Sequence, residues 1–201
     1  MNNFFKVLEQ IKIIDNGEKL VEIINKDIIL EPIYFKKKFK GSIEKMYLRE
    51  RVIKILNSIS NELIKHNLNI IVFDAYRTIE LQTFLAEQNT IALEEGFISP
   101  LNNLDKFTPP HMTGGAIDLA ICKDKKLLNF GTKFDDFTSK ANTMYYKGIN
   151  SEIHSNRMML VEIMQKYGFT NYSMEWWHFD YGNQFWASVK NTDAFYGNIQ
   201  Y

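Results

Sequence analysis

The run Ala116-Ile-Asp-Leu-Ala-Ile-Cys122 constrains this chain more than any other stretch, because it is apolar except for one carboxylate. It reads as a short strand. An ionised Asp118 between Ile117 and Leu119 is costly unless a cation or hydrogen bonds meet it, so the strand must sit in a core that also answers a charge. Cys122 is the single cysteine and reads as a small buried residue, the common fate of free Cys. One cysteine allows no internal disulfide, so packing has to supply the stability.

Around this strand the pattern alternates irregularly between helical and extended. Ile43, Met46, Tyr47, Ile53, Leu56, Ile59 and Leu63 recur at threes and fours, which predicts a long core-facing helix over 43–66. Residues 68–76, rich in β-branched and aromatic side chains, predict a strand, and Thr78 is placed to cap a helix running to about Glu95-Gly96. Pro100, Asn102, Asn103 and the Pro109-Pro110 pair make 96–110 a surface connection. Residues 151–166 predict a helix capped by Ser151, striped with Ile153, Leu160 and Ile163 and stopped by Gly168, and residues 175–181 predict the last core strand. No regular strand-helix repeat emerges. The expected fold is therefore α+β, a single domain over 1–201 with helices packed on a small, largely antiparallel sheet. Strands before residue 40 are not legible from the pattern.

A chain of 201 residues with 45% hydrophobic and 14% aromatic residues is long enough for one substantial core. Its 24 basic side chains match its 24 acidic ones, and its cationic cluster, Lys36-Lys37-Lys38 with Lys40, reads as a solvated loop. No nucleic-acid partner is expected. The amino-terminal residues lack a basic segment followed by a signal-length apolar run, and no stretch is long enough to span a bilayer, so a cytoplasmic protein without a membrane partner is expected. Oligomeric state stays open. The tail from Thr192, with Phe195, Tyr196 and Tyr201, packs either on the domain or on a partner.

His111 and His178 are two of four histidines, and both stand near carboxylates in otherwise apolar stretches. A hydrolytic zinc takes three protein ligands and keeps a fourth position for water. His111 and Asp118 would lie on opposite faces of an unbroken strand, but Gly114-Gly115 breaks the segment and lets both point inward. His178 is the candidate third ligand. Glu175, on the opposite strand parity, must then lie on an irregular entry to the strand to stand beside the metal. Zinc lowers the pKa of bound water to about 7, and a nearby carboxylate can take its proton and deliver it to a leaving amine. Arg77, at the carboxyl end of a strand, is placed to stabilise charge on a carbonyl oxygen. Each residue also has a plain structural reading: a hydrogen-bonded loop histidine at 111, a core histidine at 178, a turn cap at Asp118, a surface salt bridge at Arg77. Spacing alone leaves both open. His66 and His154 are expected to face solvent.

His111-Met-Thr-Gly-Gly-Ala-Ile-Asp118, taken with Glu175-Trp-Trp-His178, resembles the zinc D-alanyl-D-alanine dipeptidases of the vancomycin-resistance type (peptidase family M15). These belong to a wider group of peptidoglycan peptidases that includes D,D-carboxypeptidases and L-alanyl-D-glutamate peptidases. Further likeness runs through Asp74-Ala-Tyr-Arg77, Gly131-Thr-Lys-Phe-Asp135, Asn156-Arg157 and Gly168-Phe-Thr-Asn-Tyr172, so it covers about residues 70–182. The resemblance implies one catalytic zinc per chain on His111, Asp118 and His178, with Glu175 as general base and acid and Arg77 stabilising the tetrahedral intermediate. It further implies that Asp135 binds the substrate's free amino group, limiting the enzyme to dipeptides, and that Tyr76 and Trp176 touch substrate. Asp136, beside Asp135, reads as an exposed turn carboxylate.

The activity so implied is hydrolysis of D-Ala-D-Ala or a close D-configured dipeptide through Glu-activated zinc-bound water. One alternative is a related peptidase of longer cell-wall peptides. Another is a non-catalytic binding module, since the hedgehog signalling domain is similar in zinc site and fold. Two departures from the pattern stand out. Pro109 occupies the place of the usual serine two residues before the first histidine, leaving Thr108 as the available hydroxyl, and Thr78 replaces the usual proline after Tyr-Arg.

Overall fold

The run 116–122 lies in the middle of a six-stranded sheet in the computed structural model, which describes residues 3–199. In chain order the elements are α1 (Asn3–Leu8), β1 (Leu20–Glu22), β2 (Ile28–Leu30), α2 (Ile33–Lys36), β3 (Tyr47–Arg49), α3 (Glu50–Ile64), β4 (Asn69–Asp74), α4 (Ile79–Gln88), α5 (Thr90–Glu95), β5 (Ala116–Lys123), β6 (Lys126–Leu127), α6 (Ser151–Lys166), β7 (Thr170–Asn171), β8 (His178–Asp180) and α7 (Gln184–Lys190). The main sheet runs β2-β4-β5-β8-β7, with β6 also paired to β5, and β1 and β3 form a separate ribbon. Every pairing is antiparallel except β2 with β4. The fold is α+β, with helices packed on a largely antiparallel sheet.

Register places the charged residues of the sheet in one row. Asp118 on β5 stands opposite His178 on β8 and, across a bulge after Val72, opposite Asp74 on β4. Directly opposed residues share a face, so three polar side chains from three strands reach the same side. The rest of β5 is fully buried from Ala116 to Cys122, Asp118 excepted at 1% exposure. Val52, Leu56, Ile59 and Leu63 of α3 and Leu160 and Met164 of α6 join Ile70, Val72, Leu119 and Ile121 in one apolar cluster. Full burial of each such side chain contributes about 1.5–3 kcal/mol, which is how a chain without a disulfide holds a charged row rigid.

Several boundaries differ from the sequence expectation. The helix predicted over 43–66 begins only at Glu50, because Tyr47–Arg49 pairs with β1 and Arg49 N–H donates to Gly114 O at 2.9 Å. A period of three or four cannot be told from a short strand over so few residues. The helix predicted after Thr78 is two helices, broken where Asn89 takes φ −131°, although Thr78 caps as expected by accepting from Leu81 N–H. Asn150, not Ser151, caps α6, its side chain accepting from Ile153 N–H at 3.1 Å. The last core strand shrinks to His178–Asp180. His154 is half-buried rather than solvent-facing, while His66 and the Lys36–Lys38 cluster are exposed. Among the described residues no helix is long and apolar enough to cross a membrane. The tail packs back on the chain, Phe195 and Tyr196 donating their N–H groups to Gly182 O, whereas Tyr201 lies outside the described residues.

The glycine break before β5 is tightly packed. Gly114 takes φ +69°, and a Cβ on Gly115 would lie 2.3 Å from Tyr181 O. That oxygen belongs to backbone held by Tyr181 N–H donating to Gly115 O at 2.8 Å, so it has little room to retreat. Gly115→Ala is therefore expected to cost about 1–3 kcal/mol, the range for an added methyl in a packed site. Urea denaturation would check this, and an unchanged midpoint would contradict the close approach.

Candidate metal centre and active site

Three segments bring the polar row and its neighbours together. Asp118 and His178 arrive from β5 and β8, and His111 from a 3-10 turn, Pro110–Thr113, that the glycines then redirect into β5. Glu175 lies off the strand, in the turn that precedes β8, with its N–H donating to Tyr172 O at 2.9 Å. His178 Nδ1 stands 2.9 Å from Asp118 Oδ1 and 3.1 Å from His111 Nε2. One ligand atom from each of the three residues falls within 4.8 Å of the others, and all three are buried.

The outer hydrogen bonds of the two rings decide what their inner nitrogens can be. His111 Nδ1 is 2.7 Å from Ala75 O, and His178 Nε2 is 3.1 Å from Asp180 Oδ1; both partners are acceptors, so each outer nitrogen carries the proton. When the rings are neutral, their inner nitrogens are bare lone pairs facing each other and the Asp118 carboxylate. Such a cluster draws positive charge to its centre, as a proton or as a metal ion. Its titration agrees: burial alone would raise Asp118, yet His111 and His178 hold it well below the usual carboxylate range. Burial disfavours charge on His178, yet Asp180 and Asp118 outweigh it and raise the imidazole well above its ordinary value. Two nitrogens and a carboxylate, each fixed by an outer partner, fit the donor set of a zinc centre.

Around this centre stand further charges. Glu175 Oε2 is 3.8 Å from His178 Nδ1, and burial pushes its carboxyl up to about 8, with Asp118 and Asp135 adding to the shift. Arg77 is 9% exposed, so its plain reading as a surface salt bridge does not hold. Its guanidinium donates to Asp74 Oδ2 at 2.5 Å, Gln82 Oε1 at 3.3 Å and Asp118 Oδ2 at 3.4 Å, and it lies over the Tyr34 ring. Asp135 takes φ +61°, accepts from Tyr34 Oη at 3.0 Å, and is raised to about 7, chiefly by burial. Asp136 is half-buried and accepts from Thr138 Oγ1 at 2.6 Å. These groups open on a cleft walled by Phe97, Ser99, Phe137, Tyr172 and Trp177.

Arg77, His111, Asp118, Asp135, Glu175 and His178 all line this cleft, and the two other residues expected at substrate do not. Trp176 is wholly buried, stacks on Phe130 at 4.3 Å and donates from Nε1 to Thr132 Oγ1. Its neighbour Trp177 takes the place at the cleft, both tryptophans lying in the turn that leads into β8. Tyr76 is buried beside Arg77 but directed away from it, its hydroxyl donating to Ile199 O at 2.9 Å. Thr108 is 2% exposed and not among the cleft residues, so it does not replace the hydroxyl that Pro109 lacks.

Four contributors were given no role in the sequence reading, although Arg157 was among the residues carrying the resemblance. Asp180 had a signal, since it follows His178 by two residues on one strand face. Tyr34 had none, lying where no pattern was legible. Gln82 looks like an ordinary helix residue, yet it accepts from Arg77 and donates to Ser99 O, joining the guanidinium to the cleft wall. Arg157 is wholly buried on α6 and donates to the carbonyls of Phe130, Lys140 and Asn142, which ties down both ends of the loop carrying Asp135.

The Peptidase M15 family, described as D-Ala-D-Ala dipeptidase, matches residues 35–196. The chain is 27% identical to the D-alanyl-D-alanine dipeptidase of Synechocystis sp., over 76% of its own length and 79% of that protein's. It is 28% identical to the D-alanyl-D-alanine dipeptidase of Escherichia coli, over 56% of its own length and 55% of that protein's. A solved structure of the D,D-dipeptidase VanXYg with a D-Ala-D-Ala phosphinate analogue aligns over 94% of this chain and 71% of that one, at 16% identity and TM-score 0.40. The family match spans most of the chain and includes the buried row, its histidine turn and the cleft; the chain belongs to the Peptidase M15 family of metallopeptidases.

Proposed function

We propose that this protein is a cytoplasmic, single-domain zinc dipeptidase that hydrolyses D-Ala-D-Ala or a close D-configured dipeptide. The observation that carries the reading is the convergence of His111 Nε2, Asp118 and His178 Nδ1, with their outer partners fixing two bare nitrogens toward one point. One zinc ion per chain held there supplies Lewis acidity toward water and the scissile carbonyl.

The chain's own residues do the remainder. Glu175, buried beside His178, takes a proton from the attacking water and returns it to the departing amine, the shuttle that a positioned carboxylate performs. Arg77, held by Asp74 and Gln82, presents a fixed positive charge where the carbonyl oxygen becomes negative. Asp135, across the cleft and steadied by Tyr34, receives the substrate's ammonium group, a charge-assisted contact that anchors a dipeptide by its free amino end. Walls of Phe97, Phe137 and Trp177 suit small apolar side chains.

The departure at Pro109, with Thr108 turned away, favours testing one competing reading, a related peptidase that acts on longer cell-wall peptides. A panel of D-Ala-D-Ala, its amino-acetylated form, L-Ala-L-Ala and a muropeptide ending in D-Ala-D-Ala, assayed with added zinc, separates them. The expected result is turnover of the free dipeptide, at least about tenfold loss on acetylation, which removes roughly 1.4 kcal/mol or more of recognition, and complete loss on treatment with a chelator. Cleavage confined to the blocked or longer substrates would transfer the chain to the second reading. Zinc bound without any peptide hydrolysis would favour a non-catalytic module.

A further inference from the structure

Arg49 lies at the junction of β3 and α3 and is 1% exposed. Its guanidinium spends every N–H on a separate partner atom. Nε donates to Thr113 O at 2.7 Å, one terminal nitrogen to Glu18 O at 2.5 Å and Asp15 Oδ1 at 3.3 Å, and the other to Asp15 Oδ2 at 2.7 Å and Gly197 O at 3.1 Å. The face of the guanidinium lies 5.0 Å from the Tyr196 ring centroid, and the Arg49 backbone N–H donates to Gly114 O. A planar fork with five donors can hold this arrangement, and an ammonium cannot.

Both carbonyls that Arg49 takes from the histidine turn, Thr113 O and Gly114 O, lie within three residues of His111. The C-terminal segment that Arg49 holds at Gly197 goes on to the same turn, since Ile199 N–H donates to Met112 O at 3.3 Å. Ile199 O in turn accepts from Tyr76, the residue before Arg77. The turn is thus gripped at Met112, Thr113 and Gly114, while His111 itself reaches Ala75 O. Gly114, in the αL region, and Gly115 offer no side chain to hold the turn, so its path rests on backbone and neighbouring bonds, among them Arg77 N–H to His111 O and those of Arg49.

We propose that Arg49, with the C-terminal strap it anchors, is a positioning residue for the metal ligand His111. It sets the backbone of the turn so that His111 Nε2 faces Asp118 and His178. The inference rests on the reading of these three residues as a metal site. Outer groups that orient metal ligands typically affect affinity by about 10–100-fold when removed.

The test measures zinc affinity of the folded protein by chelator competition, and the visible absorption of the cobalt-substituted site, in Arg49→Lys, Asp15→Asn, His111→Ala and Leu63→Ala. Leu63 is a buried residue of α3 and serves as a destabilised control away from the turn. Expected are zinc binding weakened about 10–100-fold in Arg49→Lys with an altered cobalt band, a smaller change in the same direction in Asp15→Asn, and parental affinity in Leu63→Ala. Should Arg49→Lys fail to fold, Asp15→Asn decides alone, since Asp15 is one-third exposed and its replacement loosens the same fork. Parental affinity in the folded Arg49 and Asp15 variants, with binding lost in His111→Ala, would overturn the proposal and leave the metal site standing. Parental affinity in His111→Ala would overturn the metal site itself.

Discussion

Glu175→Ala protein is expected to bind its metal at the parental stoichiometry and to lose about 10²–10⁴-fold in kcat, the range for removing a general acid and base. The asymmetry follows from where Glu175 sits. Its carboxyl lies beside His178 but outside the His111, Asp118 and His178 triad, so the ligand atoms remain when it is gone. Its carboxyl is also raised by burial and by Asp118 and Asp135, so alanine relieves repulsion among buried acids instead of creating it. Thermal stability should therefore hold. Metal content, kcat on D-Ala-D-Ala and Tm measured on one preparation check the three statements together. A variant that kept a tenth or more of the parental kcat would remove Glu175 from the chemistry.

Arg77 should behave differently, because it serves the fold and the reaction at once. Arg77→Lys keeps a positive charge but loses the fork that spans Asp74, Gln82 and Asp118. A loss of about 10²–10³-fold in kcat is expected, comparable to removing one donor aimed at a developing oxyanion. Arg77→Ala goes further, since it leaves the Asp74 and Asp118 carboxylates, 6% and 1% exposed, without their counter-ion. Breaking a buried pair in this way costs about 3–5 kcal/mol. Urea denaturation of the metal-free proteins would show it, with the lysine variant between the alanine variant and the parent. Equal stability of Arg77→Ala and parent would mean that the guanidinium does not compensate these acids.

The legible parts of the chain were those where one segment carries its own signal. The apolar run 116–122, the extended pattern over 68–76, strand from Asn69 to Asp74, the capped helix after Thr78 and the irregular lead into His178 were readable because side-chain polarity, turn residues and parity act over a few neighbours. The departures share a cause. Tyr47–Arg49 is a strand because β1 and Gly114 supply hydrogen bonds from elsewhere in the chain, and periodicity over three residues cannot announce such partners. Tyr34 reaches Asp135 across 101 positions, a contact with no local trace. Trp176 and Trp177 are chemically alike, and only the path of the turn after Glu175 decides which one faces the cleft.

Residue order alone poses the electrostatic question, since a carboxylate inside an apolar strand must be met by a cation or by hydrogen bonds, and it leaves the two histidines open between metal ligands and plain structural residues. Only the packed chain sets which ring nitrogens face Asp118 and which face outer acceptors. Ala75 O and Asp180 fix the ring protons on the outer side, and strand register sets Asp118 between His178 and Asp74. It also decided that Arg77 is a buried counter-ion and that Arg49 grips the histidine turn. Those outcomes depend on hydrogen-bond geometry between residues far apart in the chain, and such geometry exists only once the core has packed.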